Sequence, residues 1–553
     1  MTRASMQSMH SSSEHGIEGT ANHLRQGLKD DLLRPEAFLS CAKSQTVGFI
    51  ETHISWVFVL EHDVFKVKKP VNLGFLDFRT RKQRRAACEA ELLLNRRLAP
   101  HVYLDVVPIR CAKDGRARVG GSGPVIDYAV HMVRLRDESR TDQLLRAGLL
   151  TPSMVDAIAK GIASFHAQCR SDAATARFGS PAVIERNIEE NFAQTRGTIE
   201  KYLRPEEADE LLRWQRSFLR GHTPLFERRA AEGRVRDGHG DLRLEHVYLE
   251  DGRPTVIDCI EFNERFRFAD VCADIAFLSM DLVGHGRVDL AERLLATYAR
   301  ETNDFDLYAL VDFYESYRAY VRGKIAAMLA DDPSVDEVTH RRAEEEARRY
   351  FLLALSADRR SLLLPSVVAV GGIIASGKST VAAHIGSEMS APVIDADRTR
   401  KAMLGVEATH RIEEPAWTGA YDPAFTESVY TEVLRRAGIV LESGRPVVID
   451  ASFRSPAMRN AARELAILHN VPFRFVECRA PLDVCRERLT LREQCGGVSD
   501  GRIAIFDDFC ARFELVRELP PTEHVVIDTT QALERSTTTL RAVLDLWPPG
   551  FVA

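Results

Sequence analysis

One octapeptide constrains this 553-residue chain more than any other stretch: Gly372-Ile373-Ile374-Ala375-Ser376-Gly377-Lys378-Ser379. An apolar, strand-like run, Val367 to Val370, leads into it. A helix-compatible run, Thr380 to Met389, leaves it. Glycines allow the backbone to wrap and aim N–H groups at phosphate oxygens. The helix that follows adds its positive N-terminal end, where Thr380 sits. At this spacing Lys378 reaches β- and γ-phosphates, and the Ser379 hydroxyl is placed to ligate Mg²⁺. The expected ligands are therefore ATP and Mg²⁺.

The residues around the loop read as alternating strands and helices. Strand-like runs fall at Val367 to Val370, Pro392 to Asp395, Pro446 to Asp450, Phe473 to Glu477 and His524 to Asp528. Such alternation predicts an α/β layer structure, a parallel sheet flanked by helices. Ligands of such sheets bind at the C-terminal strand ends. Asp395 and Asp397 lie at one of these ends, with Arg400 just beyond. One of the two acids also reads as a helix N-cap. We assign the chemistry to Asp397, as base for an attacking hydroxyl, and give Arg400 an anionic group to hold. Asp450 ends an apolar strand and suits the metal side, together with Ser379. Arg479, Arg486, Arg488 and Arg492 precede Gly496-Gly497. This pattern is read as a lid, with Arg486 and Arg488 as catalytic candidates, or as a solvated basic face.

Together, Gly372 to Ser379, Asp397 with Arg400, Asp450 and the Arg-rich stretch with Ser499-Asp500 resemble the small-molecule P-loop kinases. Gluconate kinase, chloramphenicol phosphotransferase, zeta toxin and polynucleotide kinase are members. The resemblance runs from about Pro365 onward and implies a P-loop NTPase fold that transfers phosphate to a hydroxyl, without choosing which hydroxyl.

The first half carries a second constellation. His239-Gly240-Asp241 is followed by His246, and then by Val256-Ile257-Asp258 beyond a short hairpin. An acid in a loop, with a second acid folded back over it, is the layout of a kinase catalytic loop. Asp241 would serve the acceptor, and Asp258 with His246 the metal. Ile257 to Asn263, Asp270, Asp274 and Ala276 to Leu278 make this stretch resemble the aminoglycoside phosphotransferase branch of the protein-kinase-like fold. That resemblance implies an α+β bilobal domain. It also implies a phosphate-pairing lysine at Lys66, or Lys68 of the same strand parity, with Glu91 as ion-pair partner. The family has Asn where His246 stands, and no G-x-G-x-x-G occurs near Val47 to Trp56. Imidazole is a poor ligand for Mg²⁺.

The whole resembles a bacterial fusion of an aminoglycoside-phosphotransferase-like domain with a P-loop kinase domain. The expected division is a polar tail over 1–30, the first domain over 31–356, a linker at 357–365 and the P-loop domain over 366–553. The expected function is an ATP-dependent phosphotransferase acting on small hydroxylated metabolites. One alternative makes the first domain a non-catalytic ligand sensor that regulates the second. Another is a toxin-like or polynucleotide kinase.

Composition limits the partners. Acidic residues number 80 against 74 basic ones, a net charge of −6, which gives no electrostatic case for a nucleic-acid partner. The apolar run Leu362 to Ala375 is broken by Pro365, Ser366 and two glycines, too short to span a membrane. Met1 to Gly19 has no apolar core of a secretory signal, and none of the ten cysteines forms a C-x-x-C pair. A cytoplasmic protein with reduced thiols is expected.

Overall fold

The computed structural model describes residues 27–38, 46–72, 76–333, 335–356, 363–495 and 498–543. Most of the expected tail and residues 357–362 of the expected linker lie outside that set; residues 27–32 already form a helix. The chain divides into two compact units, one ending at Ala147 and resuming over Asp237–Ala269, the other taking Gly148–Arg236 and everything from Asp270.

The first unit is built on a six-stranded antiparallel sheet. Its order is Gly48–Glu51, Ser55–Val59, Asp63–Lys68, Val125–Val133, Tyr103–Cys111, Ala117–Val119. The sequence predicts one strand from Val47 to Leu60, but two are present. Thr52 breaks the run, because its hydroxyl accepts from Ser55 N at 2.9 Å and closes a tight turn. Asp63–Lys68 is an inner strand, with Lys66 opposite Val57 on one side and Val130 on the other. Helix Arg81–Asn95 follows, started by Thr80 and Gln83 in a reciprocal capping box. The hairpin Val247–Glu250 and Arg253–Val256 ends just before Ile257-Asp258.

In the second unit all five sheet strands run parallel, in the order Val393–Asp395, Val447–Asp450, Val367–Gly371, Phe473–Arg479, His524–Asp528. Val367–Gly371 is buried at every residue, as a central parallel strand covered on both faces requires. Register sets Asp450 beside both Val370 and Asp395, so loop and acids share one sheet edge. The helical stretch expected over Pro205 to Glu232 is two helices, Pro205–Gly221 and Thr223–Ala231, because Pro224 cannot continue the first.

Helices of the first half pack against the parallel sheet within this unit. Arg445, 1% exposed, donates to Glu292 at 2.8 Å and to Asp312 at 2.9 Å. Those acids sit on helices Val288–Thr302 and Val311–Ala330. Removing one partner strands buried charge, so Arg445→Ala is expected to lower the stability of this unit by about 3 kcal/mol. Urea unfolding of the full chain measures it; a loss below about 1 kcal/mol would mean these ion pairs contribute only as surface ones do.

Candidate functional site

The loop after the central parallel strand is shaped by backbone that side chains resist. Gly372 has φ 141° and Gly377 φ 89°. A Cβ on Gly372 would fall 2.4 Å from the Cys478 carbonyl oxygen and 2.7 Å from Ser376 Oγ, so only glycine fits. Ala375 takes φ 60° as well, local strain of the kind kept at functional sites. Lys378 opens helix Lys378–Met389 and rests its Nζ on the Ile373 carbonyl at 2.8 Å. Ile373 and Ile374 anchor the outer wall against Cys485 and Leu489.

One cavity holds Lys378, Ser379, Thr380, Asp395, Asp397 and Asp450. Asp395 is the helix N-cap, accepting from Arg398 N at 2.8 Å. Burial, helped by Asp450 and Asp397, pushes its carboxyl up to about 7. Asp397 lies in the first turn of helix Ala396–Met403. Burial also raises the Asp450 carboxyl, against the pull of Lys378 and of the Ser379 hydroxyl bonded to it. The Ser379 hydroxyl and the Asp450 carboxylate it bonds stand together at the loop end of the cavity, a pair that suits a divalent cation. Among the described residues no three such side chains form a ready metal cluster. Mg²⁺ needs no cage, since it keeps waters and binds through one or two side chains plus phosphates.

The arginines divide. Arg400 lines the cavity, with Thr426 Oγ1 3.4 Å away and the Tyr421 ring centroid 5.0 Å away. Arg486 instead makes an exposed ion pair with Asp507 at 2.6 Å. Arg488 braces the loop from behind, donating to the Ala375 carbonyl at 3.3 Å and to the Thr529 carbonyl at 2.6 Å. Of the lid stretch, Arg492 and Ser499 face the cavity, and Gly496-Gly497 lie outside the described residues. Asp500 is a structural acid, paired with buried Lys401 at 3.1 Å.

The first unit holds the second constellation. Glu91 bridges both lysines, 2.8 Å from Lys66 Nζ and 2.5 Å from Lys68 Nζ. Lys66 then pairs with Asp258 and Lys68 with Glu261, so Lys66 is the one against the expected metal acid. Burial alone would raise the Asp258 carboxyl; Lys66 above all outweighs it and holds the group well below the usual carboxylate range. Asp258 stands at φ 67°, a conformation that disfavours side chains. His239 ties loop to hairpin, accepting from Asp241 N at 3.2 Å and reaching the Ile257 carbonyl at 3.0 Å.

His246 is less free than its sequence position suggests. Its Nδ1 lies 2.8 Å from the Asp241 carbonyl, which can only accept, so Nε2 is the acceptor nitrogen. That Nε2 faces Arg243 Nη2 at 3.2 Å, with Asp258 Oδ2 at 3.6 Å. Arg243 also grips Asp241 with two bonds, at 3.0 and 3.1 Å. The lone pair expected to meet a metal therefore meets a guanidinium.

Residues 367–516 match the AAA domain family. An uncharacterized protein of Mycobacterium tuberculosis is 34% identical over 463 residues, covering 84% of this chain and 89% of its own. A Mycobacterium bovis protein matches to the same extent. The chain belongs to this mycobacterial protein's family. Among solved structures, a sugar kinase from Janibacter is 21% identical, covering 34% of this chain and 99% of that one at a TM-score of 0.27. A putative aminoglycoside phosphotransferase from Ralstonia eutropha is 13% identical, covering 62% and 97% at a TM-score of 0.34.

The matched stretch 367–516 holds the phosphate loop and the strands that end in Asp395 and Asp450. Sequence reasoning missed several residues of the P-loop cavity, among them Tyr421, Thr426, Tyr430, Ser452, Arg454 and Phe509. Of these, Ser452 and Arg454 had a readable signal, as they follow the strand that ends in Asp450.

Proposed function

We propose that the chain is an ATP-dependent phosphotransferase whose P-loop site phosphorylates a hydroxyl of a small metabolite. The observation that carries the reading is the shared cavity of Lys378, Ser379, Asp450 and Asp397. Bound Mg·ATP supplies the phosphoryl group and an electrophilic phosphorus. Lys378 and the loop N–H groups hold phosphate oxygens, while Ser379 and Asp450 hold the metal. Asp397 orients the acceptor hydroxyl and takes its proton. A reduced, cytoplasmic setting belongs to the same reading, and no helix among the described residues is long and apolar enough to cross a membrane. The test is ADP release by the purified full chain across a library of hydroxylated metabolites. Release no faster than without acceptor, for every compound, counts against it.

The first unit is read as a second phosphotransfer site, with Asp241 for the acceptor and Asp258 for the metal. Its internal pairing favours the sensor alternative: Arg243 neutralises Asp241, Lys66 neutralises Asp258, and His246 Nε2 is engaged. His246→Asn separates the two. An amide oxygen is a harder ligand than imidazole nitrogen, so the variant is expected to bind Mg·ATP several-fold more tightly at this site. Calorimetric titration in a Lys378→Ala background reads the first site alone. Absence of Mg·ATP binding there, with His246 or with Asn, counts against catalysis at this site and favours the sensor reading.

A further inference from the structure

The cavity of the P-loop site has a second pole, opposite in sign to the three acids. Arg400 and Arg454 line it, and among the described residues neither has a carboxylate within ion-pair distance. Arg400 is 5% exposed, and its Nε is buried without a hydrogen-bond partner. A guanidinium so placed is costly unless an anion joins it.

Two strained residues fix Arg454 in position. Phe453 takes φ 47°, turning the chain so that Ser452 and Arg454 both face the cavity. The turn is held by the Phe453 N–H, which donates to Tyr430 Oη at 2.9 Å, and by its buried ring, edge-on to Tyr430 and Phe475. Trp417 takes φ 66°. Its ring stacks on Phe509 at 4.5 Å, and Arg454 and Arg512 approach the ring to 4.4 and 3.9 Å from its centroid. Left-handed backbone is disfavoured at a bulky residue. Here that cost is met twice around one arginine. Burial lowers the proton affinity of Arg454, Arg512 and Arg400 add to that, and Tyr430 opposes it. Cations crowded together without a carboxylate are arranged for an anion from outside.

The triphosphate has its own cation, Lys378, at the start of the helix that follows the loop. We infer that the arginine pole seats an oxyanion of the acceptor, so the substrate is a polyhydroxylated small molecule carrying a carboxylate or a phosphate. This rests on the phosphotransferase reading of the same site. The oxyanion binds Arg454 and Arg400, with the hydroxyls of Ser452, Thr426 and Tyr430 around it, and the reacting hydroxyl lies at Asp397. That oxygen forms a bond to the γ-phosphorus, the bond from phosphorus to the β–γ bridging oxygen breaks, and its electron pair leaves on ADP. The hydroxyl proton passes to Asp397.

The test uses the full chain and a matched probe set: a hexitol, the corresponding aldonic acid, a hexose 6-phosphate and a short oligodeoxynucleotide with a 5′-hydroxyl. Each is titrated calorimetrically in the presence of Mg²⁺ and a non-hydrolysable ATP analogue, and each is assayed for phosphorylation with Mg·ATP. Expected is binding of at least one small anion at least about 10²-fold tighter than the hexitol. The acid-to-phosphate ratio identifies which oxyanion the pole prefers. Arg454→Gln is expected to remove most of that preference and Arg454→Lys to restore part of it, since only the guanidinium binds two oxygens at once. Tight binding of a small anion without any transfer upholds the oxyanion seat and overturns the phosphotransferase reading. Equal binding and transfer of the hexitol overturns the seat and upholds that reading. Failure of both small anions to bind, or preference for the oligonucleotide over both, overturns the inference.

Discussion

Lys378→Ala is expected to cut nucleotide-dependent turnover at the P-loop site by about 10³-fold or more. It should also remove one nucleotide from the binding stoichiometry of the full chain. Lys378 is the one cation on the loop, and its Nζ rests on the Ile373 carbonyl at 2.8 Å. That contact is easily exchanged for phosphate oxygens, because an ionised phosphate offers the ammonium an opposite charge that a neutral carbonyl lacks. Loss of one preorganised donor to developing charge costs about 10²–10³-fold, and here a full charge goes too. Lys378 also pulls the Asp450 carboxyl down, so its loss makes that acid harder to ionise and weakens the metal side as well. Fold damage should be small, as alanine is the best helix former and Lys378 stands at a helix start. Calorimetry with Mg·ATP counts the sites, and circular dichroism checks the fold. An unchanged affinity and stoichiometry would falsify the P-loop assignment.

Much of this was legible in the sequence, and the reasons are physical. The phosphate loop needs residues that are adjacent along the chain, so eight letters carried it. Parallel strands buried on both faces appear as short apolar runs, which is why all five matched to within a residue or two at most ends. The lysine–glutamate pair was what the resemblance to the aminoglycoside phosphotransferases implied. Parity alone could not separate Lys66 from Lys68, and in space both touch Glu91. What failed to show was anything assembled from distant segments. Trp417, Arg454 and Phe509 meet only after three elements pack. Arg486 and Arg492 look equivalent as letters, yet one turns to Asp507 and the other to the cavity. Arg243 carries no motif status, but its reach to both Asp241 and His246 changes what that loop offers a metal.

Asp397→Asn and Asp395→Asn form the second decisive pair, because the two acids are neighbours in sequence with different work. Asp395 is engaged as an N-cap through Arg398 N at 2.8 Å, and asparagine caps a helix about as well as aspartate. Its carboxyl is already pushed up to about 7 by burial and by Asp450 and Asp397, so near neutrality a neutral amide imitates much of its population. Asp395→Asn should therefore keep activity within a few-fold. Asp397 sits in the first turn, lines the cavity, and shares it with Lys378 and Arg400. A neutral amide there still fills the space but accepts no proton. The expected loss is about 10²–10⁴-fold in kcat, with little change in KM for ATP, since the nucleotide is held by the loop and not by this side chain. Steady-state rates for both variants, with one acceptor and saturating Mg·ATP, decide the assignment. A dead Asp395→Asn beside an active Asp397→Asn moves the base by two residues. Two active variants remove general-base catalysis from this cavity and leave proton release to solvent.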